Sequence, residues 1–145
     1  MIKTFQNEAR WLSNFYPVRV KMYGIEYPSV EHAYQAAKEV NPMQRLRYLN
    51  CTPGNAKRLG RKAELRPDWN EVKLLVMEEL VRRKFAHPDL RNKLLQTGNT
   101  ELIEGNEWHD TFWGVCNGIG ENHLGKIIMK IRKEIVENQK GEKIK

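Results

Sequence analysis

Cysteine is scarce in this chain. Two residues, Cys51 and Cys116, among 145 exclude a disulfide framework and a thiolate metal site, and two buried thiols in a reducing cytoplasm are expected. Long hydrophobic runs are missing too. The longest apolar stretches are a few residues, too short for a membrane-spanning helix. Residues 1–8 lack the basic-then-apolar order of a secretory signal. The four histidines are scattered, none paired with another at metal-ligand spacing, so no zinc site is expected and His32 and His123 read as surface or hydrogen-bonded groups. Gly118-Ile119-Gly120 has no lysine and serine after it as a phosphate loop requires. There is no internal repeat, low-complexity segment or linker. These absences leave a cytoplasmic globular protein with no membrane partner, no metal and no cofactor as the expectation.

What is present is charge and helical periodicity. Lys and Arg number 25 against 18 Asp and Glu, a formal +7, which favours an anionic partner such as nucleic acid or a phosphorylated metabolite. The basic residues are spread along the chain, so a solvated surface accounts for them equally well. The length suits one domain over residues 1–137, followed by a charged tail at 138–145 that frays.

Thr4-Phe5 reads as a first strand. Val18, Val20 and Met22 alternate with Arg19 and Lys21, and Ile25-Glu26-Tyr27 returns after Tyr23-Gly24 as a hairpin partner. A helix then runs from Ser29 to about Asn41-Pro42, and a short one covers 43–49. Thr52 caps the next, with Pro53 at its first position and Gly60 past its end. Asp68, with Glu71 three residues on, begins what reads as the longest helix, buried along Val72, Leu75, Val76 and Leu80. Pro88 opens a helix with Leu90, Leu94 and Leu95. Residues 101–104 read as a strand, and Leu124, Ile127, Ile128, Ile131 and Ile135 mark the last helix. The expected fold is α+β and mainly helical, with a small antiparallel sheet.

Three segments have unusual composition. Residues 11–17 set Trp11, Phe15 and Tyr16 around Ser13-Asn14, either a packed turn or a platform for a flat ring whose edge Asn14 reads. In residues 29–38, Val30, Ala33, Tyr34 and Ala37 form an apolar stripe, while Glu31, Gln35 and Lys38 line an adjoining one. That second row is either an exposed intrahelical network or a site. Residues 108–114 pack Trp108, His109, Asp110, Phe112 and Trp113 beside Gly114, closing a core or walling a pocket. Glu31 and Asp110, with Lys38 and aromatic walls, are the groups that glycosidic-bond cleavage uses: an anion stabilises an oxocarbenium-like transition state and a base activates water.

Several blocks in order resemble the YbiA-like, or NADAR, family. They are Ser13-Asn14-Phe15-Tyr16-Pro17, residues 29–38, residues 56–61, Asp68-Trp69, Met77 with Lys84-Phe85, residues 94–98, residues 110–114, and residues 122–125 with 129–132. The resemblance spans Phe5 to Arg132. It implies a YbiA-like fold and hydrolysis of N-glycosidic bonds between ribose C1 and an amino group. The implied substrates are phosphoribosylamino-pyrimidine intermediates of riboflavin biosynthesis, or ADP-ribosylated guanine on DNA or RNA. Glu31 and Asp110 match the acidic catalytic positions and Lys38 the lysine ending the helix motif. Ser13, Asn14 and Phe15 match the first loop, Tyr34 and Gln35 the helix motif, Trp69 its own block, and Trp113-Gly114 the pocket wall. Lys57 and Arg61 match a basic pair that we place near phosphate. Lys38 is expected either to keep Glu31 ionised or to form a Schiff base, which needs a lowered pKa; neither role needs a metal. The connection between Gly114 and Asn122 is shorter than is usual in the family, which bears on substrate preference. A module that binds ADP-ribose without cleaving it would need the aromatic and basic residues but neither carboxylate.

Overall fold

The computed structural model describes residues 1–144, with side chains through Gly141. In chain order the elements are β1 (Ile2–Thr4), a 3-10 turn (Asn7–Leu12), β2 (Val20–Met22), β3 (Ile25–Tyr27), α1 (Val30–Ala37) and a 3-10 segment (Pro42–Tyr48). There follow α2 (Pro53–Gly60), α3 (Trp69–Lys84), α4 (Pro88–Gln96), β4 (Leu102–Asn106), β5 (Val115–Cys116) and α5 (His123–Ile144). The fold is α+β and mainly helical, as the periodicities predict. Two compact units are present: Asn14–Lys84, and Met1–Ser13 with the chain from Phe85 onward. Among the described residues, no helix is long and apolar enough to cross a membrane.

In the unit Asn14–Lys84, β2 and β3 form the expected antiparallel hairpin, pairing Val20 with Tyr27 and Met22 with Ile25. Tyr23 and Gly24 both take positive φ, 53° and 78°, the turn geometry that matches strand twist in a two-residue hairpin. Helix α1 packs against α2, α3 and the hairpin. It ends at Ala37, earlier than Asn41-Pro42, because Glu39 leaves the helix to bridge Leu65. Helix α2 begins as read, with the Thr52 side chain accepting from the Asn55 N–H and Pro53 in the first turn, but Gly60 is its last residue rather than its stop.

Helix α3 starts where Asp68 predicts, by a different device. Both oxygens of Asp68 are gripped by Arg66, at 2.6 and 3.0 Å, and its carbonyl begins the helix. That fork holds the carboxyl below the usual range. The buried stripe of α3 also differs. Trp69, Val76, Met77, Leu80, Val81 and Lys84 are inside, whereas Leu75 is 68% exposed. The phase follows from Trp69, whose ring packs on Tyr34 at 5.2 Å and so turns that face toward α1.

In the other unit, β1, β4 and β5 form a three-stranded sheet that is parallel throughout, not antiparallel. β1 is separated from β4 by most of the chain, and residues 107–114 between β4 and β5 carry no hairpin signal, so only the β2–β3 pair is readable locally. The short connection after Gly114 makes β5 and a tight return, with Cys116 bridging Ile119 and positive φ at Asn117 and Gly118. Helix α5, not α3, is the longest. It packs against β4 and α4 along Leu124, Ile127, Ile128 and Ile131. It continues through Ile144, past Asn138 where the charge pattern predicts fraying; the final tail position, residue 145, lies outside the described residues.

Candidate active site

The site residues on α1 are positioned by its first turn. Ser29 Oγ accepts from the His32 N–H at 3.2 Å and lies 2.6 Å from His32 Nδ1, while His32 Nε2 lies 2.6 Å from the Cys51 carbonyl. A carbonyl only accepts, so Nε2 carries the hydrogen and Nδ1 accepts from the Ser29 hydroxyl. His32 is thus a buried hydrogen-bonded pin. The backbone N–H of Glu31 donates to the Asn14 carbonyl at 3.0 Å, tying the helix start to the first loop.

Helix α1 has no exposed face: every residue from Val30 to Ala37 is buried. The row Glu31–Gln35–Lys38 is therefore not a surface network. Glu31 is 7% exposed, and Gln35 Nε2 donates to its Oε1 at 2.8 Å. Gln35 Oε1 is itself buried and has no hydrogen-bond partner. It faces Gly60, where a methyl group would overlap it, so glycine is what lets α2 approach α1 so closely. Lys38 caps the helix, its Nζ 5.6 Å from the Tyr34 ring centre. Its amine is held below the ordinary lysine range. Burial is the first cause, the Glu31 carboxylate opposes it, and Arg61, Lys57 and Lys73 add to it by repulsion. A buried carboxylate thus lies within electrostatic reach of an amine biased toward its neutral form.

The first loop divides by depth. Phe15 is 41% exposed, whereas Asn14 is buried, its Nδ2 3.4 Å from Met77 Sδ and its Oδ1 without a hydrogen-bond partner. Tyr34 and Trp69, expected to meet substrate, are almost wholly buried against one another and offer it little surface; they form the floor under Lys38.

Asp110 belongs to the other unit. Its Oδ1 accepts from the N–H groups of Phe112 and Trp113 at 3.1 and 2.9 Å. Its backbone is bracketed by Asn106, which donates through Nδ2 to the Asp110 carbonyl at 2.9 Å and accepts the Asp110 N–H at 3.0 Å. The rings of Phe112 and Trp113 meet edge to face at 4.8 Å, and His123 lies 4.5 Å from Phe112. Gly114 is buried against Glu104, and a methyl there would overlap both Glu104 Oε2 and the Glu104 carbonyl. A backbone carbonyl cannot swing aside, so Gly114→Ala is expected to lower stability by roughly 1–3 kcal/mol or more, read as a fall in the urea midpoint at unchanged slope. Of the residues singled out in the sequence, Asn14, Phe15, Glu31, Tyr34, Gln35, Lys38, Lys57, Arg61 and Trp69 share the unit Asn14–Lys84. Ser13, Asp110, Trp113 and Gly114 share the other. Among the described residues, no group of three or more His, Cys, Asp and Glu side chains is placed to hold a metal ion.

Residues 2–136 match the NADAR domain. This chain belongs to the NADAR family. It is 42% identical over 131 residues to an N-glycosidase of Nostoc punctiforme, covering 85% of this chain and 83% of that protein. It is 38% identical over 133 residues to a riboflavin biosynthesis protein of Vibrio vulnificus, covering 88% of this chain but 36% of that longer protein. The NMR structure of the E. coli protein YbiA superposes with a TM-score of 0.83 at 32% identity, covering 96% of this chain and 89% of that one. The YbiA-like fold expected from the motifs is the fold observed.

The structural place of three residues of this NADAR chain, Lys84 of the motif blocks among them, is not legible in the sequence. Asn106 brackets Asp110 from four positions earlier, a spacing that carries no signal in a loop. Lys84 ends α3 and is 1% exposed, although its side chain reads as surface. Lys73 follows Trp69 by one helical turn, and that spacing was the available clue.

Proposed function

We propose that this NADAR chain hydrolyses the N-glycosidic bond between ribose C1 and an exocyclic amine. The substrate is ADP-ribosylated guanine in nucleic acid, a phosphoribosylamino-pyrimidine intermediate, or both. The observation that carries the reading is the buried Glu31 held by Gln35, with Lys38 biased toward its neutral amine. The N-glycosidase name of the Nostoc relative supports the bond class, and the name of the Vibrio relative supports the pyrimidine substrate.

Glu31 stabilises positive charge as it develops at C1, and its anion is most effective where water is excluded. The lowered basicity of Lys38 favours the covalent role. The lone pair of the exocyclic nitrogen expels the ring oxygen from C1, the C1–O4′ bond breaks with O4′ taking a proton from water, and Lys38 Nζ adds to the iminium carbon left at C1. The C1–N bond to the base then breaks, the amine leaving with a proton, and a lysine imine remains. Water adds to C1 and releases the sugar aldehyde, returning Lys38. Asp110 matches the second acidic position of the family, and its part in turnover is tested by Asp110→Asn.

Mass spectrometry after incubation with ADP-ribosylated guanosine, and separately with the pyrimidine intermediate, is expected to show the freed base and the phosphorylated sugar. Borohydride added during turnover is expected to leave a reduced sugar adduct on Lys38. Full turnover without that adduct removes the covalent step and leaves Lys38 as the electrostatic partner of Glu31. Binding of ADP-ribose with no turnover of either substrate makes the chain a binding module instead.

A further inference from the structure

The Gln35 amide is satisfied on one side and not on the other. Its Nε2 donates to Glu31 Oε1 at 2.8 Å, while its Oε1 is buried and accepts no hydrogen bond. A buried amide oxygen left unpaired is costly, so a neighbour must favour this orientation. The flipped amide is worse, because it sets Oε1 against the Glu31 carboxylate, two acceptors with no hydrogen between them. The neighbour on the oxygen side is Gly60 of α2. A Cβ built on Gly60 overlaps Gln35 Oε1 and lies 2.7 Å from its Cδ and 3.1 Å from its Cβ, and its three nearest neighbours are all atoms of Gln35. The direction a methyl would take is that of a glycine Cα–H, so that hydrogen points at the amide oxygen and makes a weak C–H···O contact. Gly60 is itself buried, so it bears on the site through Gln35 and not by touching a solute.

We propose that Gly60 is a positioning residue for Glu31: its bare Cα–H face holds the Gln35 amide with the oxygen toward α2 and the N–H toward the carboxylate. The effect on turnover rests on the N-glycosidase reading, but the coupling of Gly60 to the amide does not. The backbone at Gly60 is helical, a conformation alanine adopts more readily than glycine. The backbone therefore does not call for glycine here, and the side chain of Gln35 does. An added methyl drives the amide off its seat and takes the N–H away from Glu31 Oε1. Glu31 is 7% exposed, so water does not replace that donor. The carboxylate then loses the contact that fixes its orientation toward the reacting sugar.

The test uses the full chain as wild type, Gly60→Ala, Gln35→Ala and the double variant Gly60→Ala/Gln35→Ala. NMR of the side-chain amides reads the seat directly. The Gln35 amide of the wild type should exchange slowly with solvent, and in Gly60→Ala its signal should move and its protection fall. Melting temperature should drop in Gly60→Ala. The same substitution should cost much less in the Gln35→Ala background, where only the 3.1 Å contact with Cβ remains. In turnover, kcat of Gly60→Ala should fall about tenfold, the loss of one hydrogen bond to a charged group, with KM little changed. The double variant should be no slower than Gln35→Ala alone. An unmoved Gln35 amide in Gly60→Ala overturns the seat. Wild-type kcat in Gly60→Ala, or losses that multiply in the double variant, overturn the positioning role. If Gly60→Ala does not fold, folding of the double variant supports the seat, and failure of both overturns it. If the wild type cleaves no N-glycoside but the amide still responds to Gly60→Ala, the seat stands and the proposed reaction falls.

Discussion

Glu31→Gln is expected to lower kcat by about 10²- to 10⁴-fold, the range for removal of a positioned acid–base or charge-stabilising group, while leaving the fold intact. The variant is nearly isosteric. Gln35 Nε2 donates to Glu31 Oε1, and the oxygen of a glutamine can accept the same hydrogen bond. The backbone bond from residue 31 to the Asn14 carbonyl does not depend on the side chain. What disappears is the negative charge, in a position 7% exposed to solvent that cannot replace it. KM should therefore move much less than kcat, the signature of an interaction made in the transition state. A second effect follows from the same charge. Glu31 raises the Lys38 pKa against burial and the surrounding cations, so without it the amine titrates still lower. Residual activity limited by a neutral Lys38 should then extend to lower pH than in the wild type. Steady-state kinetics from pH 5 to 9 read both effects. A kcat within a few-fold of wild type would show that Glu31 is a packing residue.

Asp110→Asn is the companion substitution. Asparagine can keep accepting from the N–H groups of Phe112 and Trp113 through Oδ1, and the Asn106 bonds go to the backbone. A loss of turnover with unchanged melting temperature is thus attributable to the charge.

How far the sequence discloses this arrangement differs from element to element, for physical reasons. Local devices are legible. Ser29, Thr52 and Pro53 mark helix starts because capping acts within three residues, and Tyr23-Gly24 marks the hairpin because its turn needs positive φ. The phase of α3 is not. Leu74-Leu75-Val76-Met77 is a continuous apolar run, and four adjacent apolar residues supply two stripes of equal quality. Packing on Tyr34 selects the one that leaves Leu75 outside. The burial of α1 is hidden for the opposite reason. Glu31, His32 and Gln35 resemble an exposed face by type, and only their hydrogen bonds to Cys51, Ser29 and each other show how they are held inside. The parallel pairing of β1 with β4 joins Ile2 to Leu102, a non-local partnership with no sequence signal of its own. The motif match located Glu31, Lys38 and Asp110. Their hydrogen bonds and electrostatic surroundings come from packing.

Lys84→Met is expected to flatten the pH dependence of stability above neutrality. Lys84 is 1% exposed at the end of α3, and burial pulls its pKa down to about 7. The unfolded chain keeps this amine protonated to about pH 10.4. Between those values the unfolded state binds a proton that the folded state does not, so wild-type stability rises with pH across the window. At or below about pH 7 both states are protonated and the contribution to the slope vanishes. A displacement of this size at a buried group is worth on the order of a few kcal/mol over the whole window. Methionine is similar in volume and does not titrate, so the stability of the variant relative to wild type should be greatest near pH 6–7 and decline steadily toward pH 9. Cys51, pushed up by burial, opposes the wild-type trend above about pH 8.5, and buried Tyr27, pushed up to about 12, does so above about pH 10. Both remain in the variant, so they cancel in the difference. Urea unfolding of both proteins in half-unit steps from pH 6 to 9 measures it, and parallel curves would show that Lys84 holds its proton throughout. The same titration reaches the first loop. The Lys84 amine lies 5.8 Å from the Tyr16 ring, a cation–π distance at which its charge attracts that face. Tyr16 is two residues from Asn14, whose carbonyl holds the N–H of Glu31. Deprotonation of Lys84 removes that attraction, so the tether of Glu31 is expected to loosen as the core around Lys84 becomes more stable.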